Sequence, residues 1–398
     1  KGWHRVRFKP LAPWREAFYF RRFDYGYCIT NLALAKPAHI SNDKLANSRF
    51  LIYERRTRRM KKIHLINITT VCVICLILLT LAPGCAKKPA SGKVYKIGEC
   101  QIVDHPDLNA DREGFHQAMA EKGFIKGENV EYIVLNAGGD MSTAHTIAER
   151  FVTEKVDLIH AISTPIAQAC AASAEGTGIP VIFSTCSNPL LAGLVDSWEK
   201  PGPHNITGVS DRLNTDNTLD MIKAICPDSK VMGIVYDAGE ANARATVAQM
   251  KESLSKASFA EPVEANCPTS AEVKTAAESL VGRCDVMWWP DSNTVAQGCT
   301  ALVSVCEENK IPLFGPTGWS VEPEYGCIGA CGVTDYTAIG IEAGYMAARV
   351  LLGEDPANIP VTTPAAEQLP TLNPAAAERM GVTIPQSLLD KARKVVIE

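Results

Sequence analysis

The amino-acid sequence predicts an α/β protein built from two doubly wound parallel-sheet lobes that are joined by a hinge. From Lys93 onward, short runs rich in β-branched residues alternate with longer helical stretches, which is typical of βαβ units and parallel sheets. A cluster of turn-forming residues at 200–205 interrupts the alternation, which then starts again. Two separate series predict two lobes, because each series can complete a sheet of its own.

The first series predicts lobe 1 over residues 93–207. Its strands are expected at 95–103, 130–135, 156–162 and 180–184, and its helices at 108–122, 142–154 and 165–174. The first helix places the apolar Phe115 and Met119 on one face. Ser142 can cap the second helix before its apolar residues Ile147 and Phe151.

The second series predicts lobe 2 over residues 208–330. Its helices are expected at 216–225, 241–256, 271–281 and 294–309, and its strands at 230–236, 261–265, 285–289 and 312–314. A further helix at 336–352 and an extended run at 359–362 follow both series. We therefore expect segment 331–355 to return to lobe 1 as a helix, and segment 356–398 to belong to lobe 2.

The two predicted lobes indicate a binding function with a cleft between them. Doubly wound sheets bind ligands outside the carboxyl ends of their strands, so two facing lobes can close on a small molecule about a hinge. The sequence has no GxGxxG that links a strand to a helix, no GxxxxGKS/T, no HExxH and no GxSxG. These absences argue against nucleotide use and against metal- or serine-dependent hydrolysis. We predict no catalytic residue, no cofactor and no metal.

Residues 1–59 differ from the rest of the chain in charge. They hold 14 Lys and Arg against 4 Asp and Glu, although the whole chain has a formal net charge of −4. They show no sustained strand or helix period, and the first methionine is Met60. We interpret them as an extension outside the mature protein. The alternative is a basic arm for nucleic acid or anionic lipid. Because the acidic body carries no nucleic-acid motif, we predict no nucleic-acid partner.

Residues 60–84 have the pattern of a secretory signal peptide. A short basic start, Met60-Lys61-Lys62, precedes a mostly apolar stretch at 63–81 and small residues before Cys85. The alternative is a transmembrane anchor, but the continuous apolar core is roughly half of the ~20 residues that a span needs. We predict cleavage, export to the periplasmic side of the cell envelope, and a short tether at 85–92.

The end of this signal, Gly84-Cys85, resembles the lipobox of bacterial lipoproteins, although Pro83 is unusual and Leu81 lies one place early. The resemblance implies that Cys85 is lipidated, becomes the first residue and anchors the protein to a membrane without spanning it. Cleavage with simple release of the protein is the alternative.

The chain contains 14 cysteines, most of them in the predicted lobes. Several lie among apolar or small residues, such as Cys170 between Ala169 and Ala171 and Cys284 before Val286 and Met287, where cysteine behaves as a small hydrophobe. An even number in an exported protein also permits disulfides, and Cys327 with Cys331 is the one close pair in a glycine-rich segment. The only CxxC spacing, Cys72 to Cys75, lies in the signal and does not predict a metal site.

Several short strings of the body together resemble a known family. They include Ile97-Gly98, His105-Pro106, Gly114-Phe115, Gly138-Gly139-Asp140, Ser163-Thr164-Pro165, Ser187-Asn188-Pro189, Asn205-Ile206-Thr207-Gly208, Gly239-Glu240-Ala241-Asn242, Asn293-Thr294 and Asp335-Tyr336. Their order over 93–398 resembles ABC-transporter substrate-binding lipoproteins of the tryptophan/tyrosine-type family, which have a type I-like periplasmic binding protein fold. The resemblance implies a ligand between the lobes, often an aromatic amino acid, that is handed to ABC permease and ATPase subunits. We expect a monomer.

The resemblance also implies which residues contact the ligand. They lie near the carboxyl ends of the predicted strands and are Gln101, Ser163, Thr164, Asn188, Tyr236, Glu240, Asn242, Asn293 and Asp335. Ser163 and Thr164 open a helix, where backbone N–H groups suit a carboxylate, and Asp335 can bind an ammonium. From the residues alone, the first two also fit an ordinary helix start, and Asp335 fits a helix cap.

Two positions depart from the family's frequent pattern. Asn188 and Ser292 stand where the family often has Asp, which implies a less cationic ligand unless the neighbouring Asp291 compensates. Trp288 and Trp289 are adjacent in a predicted strand, so their side chains face opposite sides and one is expected in the core. Two other functions stay open: a ligand-sensing receptor that partners a signalling protein, and a periplasmic enzyme.

Overall fold

The computed structural model describes residues 92–257, 259–332, 335–363 and 368–397. The predicted extension at 1–59, the signal peptide at 60–84 and the lipidation site Cys85 lie outside the described residues. Everything described below therefore concerns the predicted lobes and the segments that connect them.

Lobe 1 has a five-stranded parallel sheet in the order β2-β1-β3-β4-β5. Its strands are β1 (Tyr95–Gln101), β2 (Val130–Asn136), β3 (Leu158–Ile162), β4 (Val181–Ser184) and β5 (Ile206–Gly208). Its helices are α1 (Pro106–Glu121), α2 (Met141–Thr153) and α3 (Thr164–Ala174). β3 and β4 are buried along their whole length because helices cover both faces of the sheet.

Lobe 2 has a seven-stranded sheet in the order β12-β11-β10-β9-β8-β6-β7. Its elements up to the second crossing are α4 (Thr215–Ile225), β6 (Met232–Tyr236), α5 (Ala241–Lys256), β7 (Val263–Asn266), α6 (Val273–Glu278), β8 (Val286–Trp288), α7 (Asn293–Asn309), β9 (Leu313–Gly315) and β10 (Gly329–Ala330). Strands β7-β6-β8-β9-β10 repeat the order of lobe 1. The predicted architecture of two doubly wound lobes is confirmed.

The chain runs between the two sheets three times: after β5, after β10 and between Thr362 and Thr371. Helix α8 (Tyr336–Leu351) follows the second crossing and packs closely against α1 of lobe 1. Glycine is required at this contact, because a Cβ on Gly340 would lie 1.8 Å from the backbone oxygen of Asp111. Three connections between two rigid sheets form a hinge that guides opening and closing.

The C-terminal segment, which we expected in lobe 2, is shared between the lobes. Its first part lies on lobe 1, where the N–H of Val361 donates to the carbonyl of Trp198 and Ile359 is buried. From Thr371 onward the chain belongs to lobe 2 through β11 (Thr371–Leu372), α9 (Pro374–Arg379), α10 (Gln386–Leu389) and β12 (Lys394–Val395). β11 runs antiparallel to β10.

Each lobe has its own mostly aliphatic core. All ten cysteines among the described residues are free thiols, so the disulfide considered for Cys327 and Cys331 does not form. The Cys331 thiol instead donates to the carbonyl of Gln368 at 2.8 Å, which joins the second and third crossings.

None of the described helices is long and apolar enough to cross a bilayer.

Candidate functional site

A cavity of about 50 Å³ lies where the carboxyl ends of the two sheets face each other. Lobe 1 lines it with residues that follow β1, β3, β4 and β5: His105, Asp107, Leu108, Ser163, Thr164, Thr185, Ser187 and Asp211. Lobe 2 and the start of α8 contribute Asn242, Trp289, Asp291, Ser292, Asn293, Ala296, Pro316, Thr317, Trp319 and Tyr336. This is the place where doubly wound folds bind ligands.

The two lobes are in direct contact across this cavity. Thr317 of lobe 2 donates a 2.9 Å hydrogen bond to Asp107 of lobe 1. The hydroxyl of Ser187 in lobe 1 donates to the Asp291 carboxylate of lobe 2. The ring of His105 also meets Trp319 edge-on with centroids 4.3 Å apart. The lobes therefore touch across the cavity, and the structure is a closed state.

Unpartnered polar atoms converge on the cavity. Among the described residues that line the cavity, five atoms are buried without a hydrogen-bond partner: Ser163 Oγ, Asp211 Oδ1, Asn242 Oδ1, Trp289 Nε1 and Asp291 Oδ1. Buried polar atoms are nearly always paired in folded proteins, and each unpaired one costs about 1–3 kcal/mol. The cluster therefore indicates that a ligand supplies the missing partners. The amide oxygen and the ionised carboxylates accept hydrogen bonds, whereas the Trp289 N–H donates one, so the ligand must bring N–H or O–H donors and can also bring an acceptor.

The cavity has the electrostatic character of a cation site. Burial raises the pKa of Asp107 to about 7, and burial together with the nearby Asp291 raises the pKa of Asp211 to about 8. Burial also raises the pKa of Asp291. Among the described residues that line the cavity there is no Lys or Arg, and burial lowers the pKa of His105 to about 4. A ligand ammonium would stabilise these carboxylates, whereas an anionic side chain would repel them.

The start of α3 offers a contrasting environment on the lobe 1 side. Ser163 ends the loop after β3 with φ of +89°, and its side chain makes no capping bond to the helix. The first N–H groups of α3 lie at a helix start, where the helix dipole favours a negative group. The Thr164 hydroxyl donates to Cys186 Sγ, in the loop after β4, at 3.3 Å. The cavity thus combines acceptors with donors at a helix start.

Aromatic side chains form the third wall. Trp289 and Trp319 meet edge-to-face with ring centroids 5.7 Å apart, and Trp319 meets Tyr325 in the same way at 4.5 Å. Trp288 points the other way, into the core of lobe 2. This resolves the expectation for the two adjacent tryptophans, since Trp289 faces the cavity and Trp288 does not. Such a wall suits a flat apolar group on the ligand.

Four of the nine residues predicted for the site line the cavity: Ser163, Thr164, Asn242 and Asn293. Three others have different contacts. Gln101 donates to the carbonyl of Val103 at 2.8 Å, inside lobe 1. Asn188 accepts from the N–H of Leu191 in the loop after β4, and the Tyr236 hydroxyl donates to Glu264 at 2.7 Å.

The remaining two predicted residues organise helix starts. Glu240 is half-buried and accepts from the N–H groups of Asn293 and Thr294 at 2.8 and 2.9 Å, so that it joins the starts of α5 and α7. It borders a separate depression outside the cavity. Asp335 is exposed and caps α8 by accepting from the N–H of Ala338, which is the alternative that the sequence offered.

Sequence reasoning missed most of the charged and aromatic lining. Asp211 follows β5, a three-residue strand that the sequence pattern did not reveal, and Asp107 lies in the first turn of α1. The expectation of a less cationic ligand is not supported, because Asp107, Asp211 and Asp291 supply three carboxylates to the cavity. Asn188 does not line it, and Ser292 lines it while capping α7. Asp107, Asp211 and Asp291 all lie in segments that follow strands, and this position is the one signal that could have identified them.

Residues 96–396 match the model of the family described as ABC transporter substrate binding protein. A curated relative, the tyrosine-binding protein of Clostridioides difficile, is 40% identical over 277 residues, which is 70% of this chain and 78% of that protein. The resemblance inferred from the sequence strings is confirmed by these matches.

Two solved structures are also similar. A domain from Streptococcus pneumoniae in complex with L-Trp is 31% identical, with a TM-score of 0.72 over 76% of this chain and 100% of that one. A ligand-free, open substrate-binding protein with adhesive properties from Clostridium difficile is 36% identical, with a TM-score of 0.58 over 77% of this chain and 100% of that one. The better superposition on the L-Trp complex, despite its lower identity, agrees with the closed lobes.

Proposed function

This chain belongs to the ABC transporter substrate-binding protein family, and we propose that it captures a free aromatic α-amino acid between its lobes for import. The observation that carries this proposal is the cluster of unpartnered acceptors beside a helix start and an aromatic wall. An amino acid presents the matching set: an ammonium, a carboxylate and an aromatic ring. A curated relative that binds tyrosine and a similar structure that contains L-Trp support the aromatic class.

The three walls suggest one orientation for the ligand. Its ammonium donates to Asp211 Oδ1, Asp291 Oδ1 and Asn242 Oδ1, because these atoms lack donors. Its carboxylate accepts from Ser163 Oγ and the start of α3, where negative charge is favoured. Its ring lies against Trp289 and Trp319. Contacts from both lobes would then stabilise the closed state relative to the open one.

The same geometry favours binding without turnover. A serine nucleophile needs a neighbouring base, yet Ser163 Oγ has no hydrogen-bond partner among the described residues. A Glu99–His160–Ser184 chain has the hydrogen-bond pattern of a catalytic triad, with contacts of 3.1 and 2.9 Å. All three side chains are buried inside lobe 1, and none of them lines the cavity. We infer that the ligand leaves unchanged.

Members of this family act outside the cytoplasm. We propose that this chain is exported, anchored by a lipid on Cys85 and partnered by ABC permease and ATPase subunits. The supporting features are the basic start at Met60, the apolar run at 63–81 and the Gly84-Cys85 pair. Cys85→Ser is expected to abolish palmitate labelling in cells, whereas Cys75→Ser should retain it. Undiminished labelling of Cys85→Ser would refute the anchor.

A thermal-shift series tests the proposed ligand class. L-tryptophan and L-tyrosine are expected to raise the melting temperature, because a ligand that binds only the folded state stabilises it. Tryptamine lacks the carboxylate and indole-3-propionate lacks the ammonium, so each should give a smaller shift, and the second the smallest. If none of the twenty standard amino acids shifts the melting temperature, the proposed class is wrong. Mass spectrometry of the ligand after incubation should recover it intact.

A further inference from the structure

Two residues that line the cavity, Ser163 and Thr185, have a positive φ, and Thr185 is the β-branched one. Thr185 directly follows β4, is buried and lines the cavity, and its φ is +51°. A left-handed conformation is unfavourable for a β-branched residue and persists only where the surroundings hold it. The turn at Thr185 directs the chain toward Ser187, whose hydroxyl reaches Asp291 in the other lobe. The conformation of Thr185 therefore bears on both the cavity wall and the closure of the lobes.

Asp111 is the group that holds Thr185. The Thr185 hydroxyl donates to Asp111 Oδ2, and Asp111 is fully buried on the inner face of α1. Asp111 does not line the cavity, so it cannot contact a ligand there. Its helix is fixed from outside by α8, whose Gly340 lies directly on the Asp111 backbone. The position of this carboxylate is thus set by packing rather than by the ligand.

A cluster of buried polar side chains lies beside Asp111. His160 Nε2 lies 3.7 Å from Asp111 Oδ1 and 2.9 Å from Ser184 Oγ, while His160 Nδ1 lies 3.1 Å from Glu99. The His160 ring is stacked on Phe115, with centroids 3.8 Å apart. Side chains from β1, β3, β4 and α1 therefore meet on one face of the sheet directly behind the cavity wall.

Buried polar side chains of this kind add little to the free energy of unfolding. Burying carboxylates and an imidazole stabilises a fold little more than apolar residues of similar volume would, because desolvation offsets their attraction. The hydrogen bonds that this cluster does make, from Thr185 to Asp111 and from His160 to Glu99 and Ser184, nevertheless restrict the positions of those side chains. The last member of the cluster toward the cavity is Thr185, the residue whose backbone requires support.

We propose that Asp111 is a positioning residue for the ligand site, holding Thr185 in its left-handed conformation. The effect on affinity rests on the proposed amino-acid binding. The effect on Thr185 does not, since Thr185 and Asp111 contact each other directly. Asp111→Asn keeps an acceptor for Thr185 and should bind nearly as the parent does. Asp111→Ala removes the acceptor and should weaken L-tryptophan binding about tenfold.

The experiment combines calorimetry with a double-mutant cycle on the full chain. Asp157→Ala is the matched control, because Asp157 accepts from the N–H of Lys96 at the opposite end of the lobe 1 strands. It should lower the melting temperature without changing the dissociation constant. Asp111→Ala should change the dissociation constant at temperatures well below its own melting point. Equal affinity of Asp111→Ala and the parent would overturn the proposal.

The stability arm of the cycle needs no ligand. Thr185→Gly removes the strain but also the hydroxyl, so it should lower or hardly change the denaturation midpoint of the parent. In the Asp111→Ala background the hydroxyl has lost its acceptor, and Thr185→Gly should raise the midpoint. The same shift in both backgrounds would contradict the proposed support of Thr185 by Asp111. If the parent binds no amino acid but the signs differ, the proposed function fails and this inference stands.

Discussion

The two lobes share a strand order but present different chemistry at the ends of their strands. Lobe 1 contributes hydroxyls, a helix start and two carboxylates, whereas lobe 2 contributes the tryptophans, two amides and the Asp291 carboxylate. In both sheets these residues lie in the loops and first helical turns that follow the strands, so the difference lies in those segments. A repeated fold therefore supplies the clamp, and the loops decide what it holds. A ligand that needs both sets of groups is bound only when the lobes meet.

The largest effect is expected from removing the lobe 1 partner of the ligand ammonium. Asp211→Asn should weaken L-tryptophan binding about 10- to 100-fold, because a hydrogen bond to a charged group contributes about 1.5–3 kcal/mol. Isothermal titration calorimetry measures the change. Asp335→Asn is the matched control, since that carboxylate is exposed and caps α8. An unchanged affinity for Asp211→Asn would remove Asp211 from the site.

The aromatic wall of lobe 2 should set the preference among amino acids. Trp319→Ala is expected to weaken L-tryptophan binding about tenfold, since aromatic contacts add about 0.5–1.5 kcal/mol beyond the area that they bury. L-leucine, which has no ring, should lose less. The ratio of the two dissociation constants is therefore the informative quantity. A ratio that does not change would mean that the ligand side chain lies elsewhere.

The carboxylates predict how binding depends on pH. The pKa of Asp211 is raised to about 8, so the empty protein binds more protons than the unfolded chain does between about pH 4 and 8. The contribution of Asp211 to the free energy of unfolding is fully present below about pH 4 and is lost as pH rises from about 4 to 8. A ligand ammonium needs the ionised carboxylate, so affinity should rise several-fold from pH 6 to 8. Asp211→Asn should flatten the profile, and a flat profile in the parent would contradict the assignment.

A smaller effect is expected at the start of α3. Ser163→Ala removes one neutral donor, which contributes about 0.5–1.5 kcal/mol, so L-tryptophan binding should weaken about threefold to tenfold. Tryptamine has no carboxylate and should bind the variant as it binds the parent. Comparing the two ligands by calorimetry isolates the carboxylate contact. Equal losses for both would place Ser163 beside another part of the ligand.

The long elements of both lobes could be predicted from the sequence because they carry clear signals. Strands of four to seven residues are rich in β-branched side chains, as in β2 and β6, and the helices have apolar faces. β5, β10, β11 and β12 have only two or three residues, which is too short for a side-chain period to appear. The equally short β8 and β9 could be predicted because they lie in apolar runs between clear helices. Helix α6 is also shorter than predicted, because its first turn is a 3₁₀ turn at Ser270–Glu272.

The candidate site could be predicted only in part, because the sequence does not show toward which side of a strand end each side chain points. Ser163 and Asn242 lie at helix starts that the sequence located well. Gln101 and Tyr236 end their strands but make hydrogen bonds elsewhere, since a shift of one residue at a strand end turns a side chain to the other face. Asp211 lies after a strand with no sequence signal, and its closeness to Asp291 arises only when the lobes close.

A crystal structure of the protein with L-tryptophan tests the central claim most directly. The ligand ammonium is expected within hydrogen-bond distance of Asp211, Asp291 and Asn242, with the carboxylate at the start of α3 and the indole against Trp289 and Trp319. The lobes should be closed, with Ser187 and Thr317 still reaching across to their carboxylate partners. A ligand bound outside this cavity, or one with its carboxylate against Asp211 and Asp291, would contradict the proposed site.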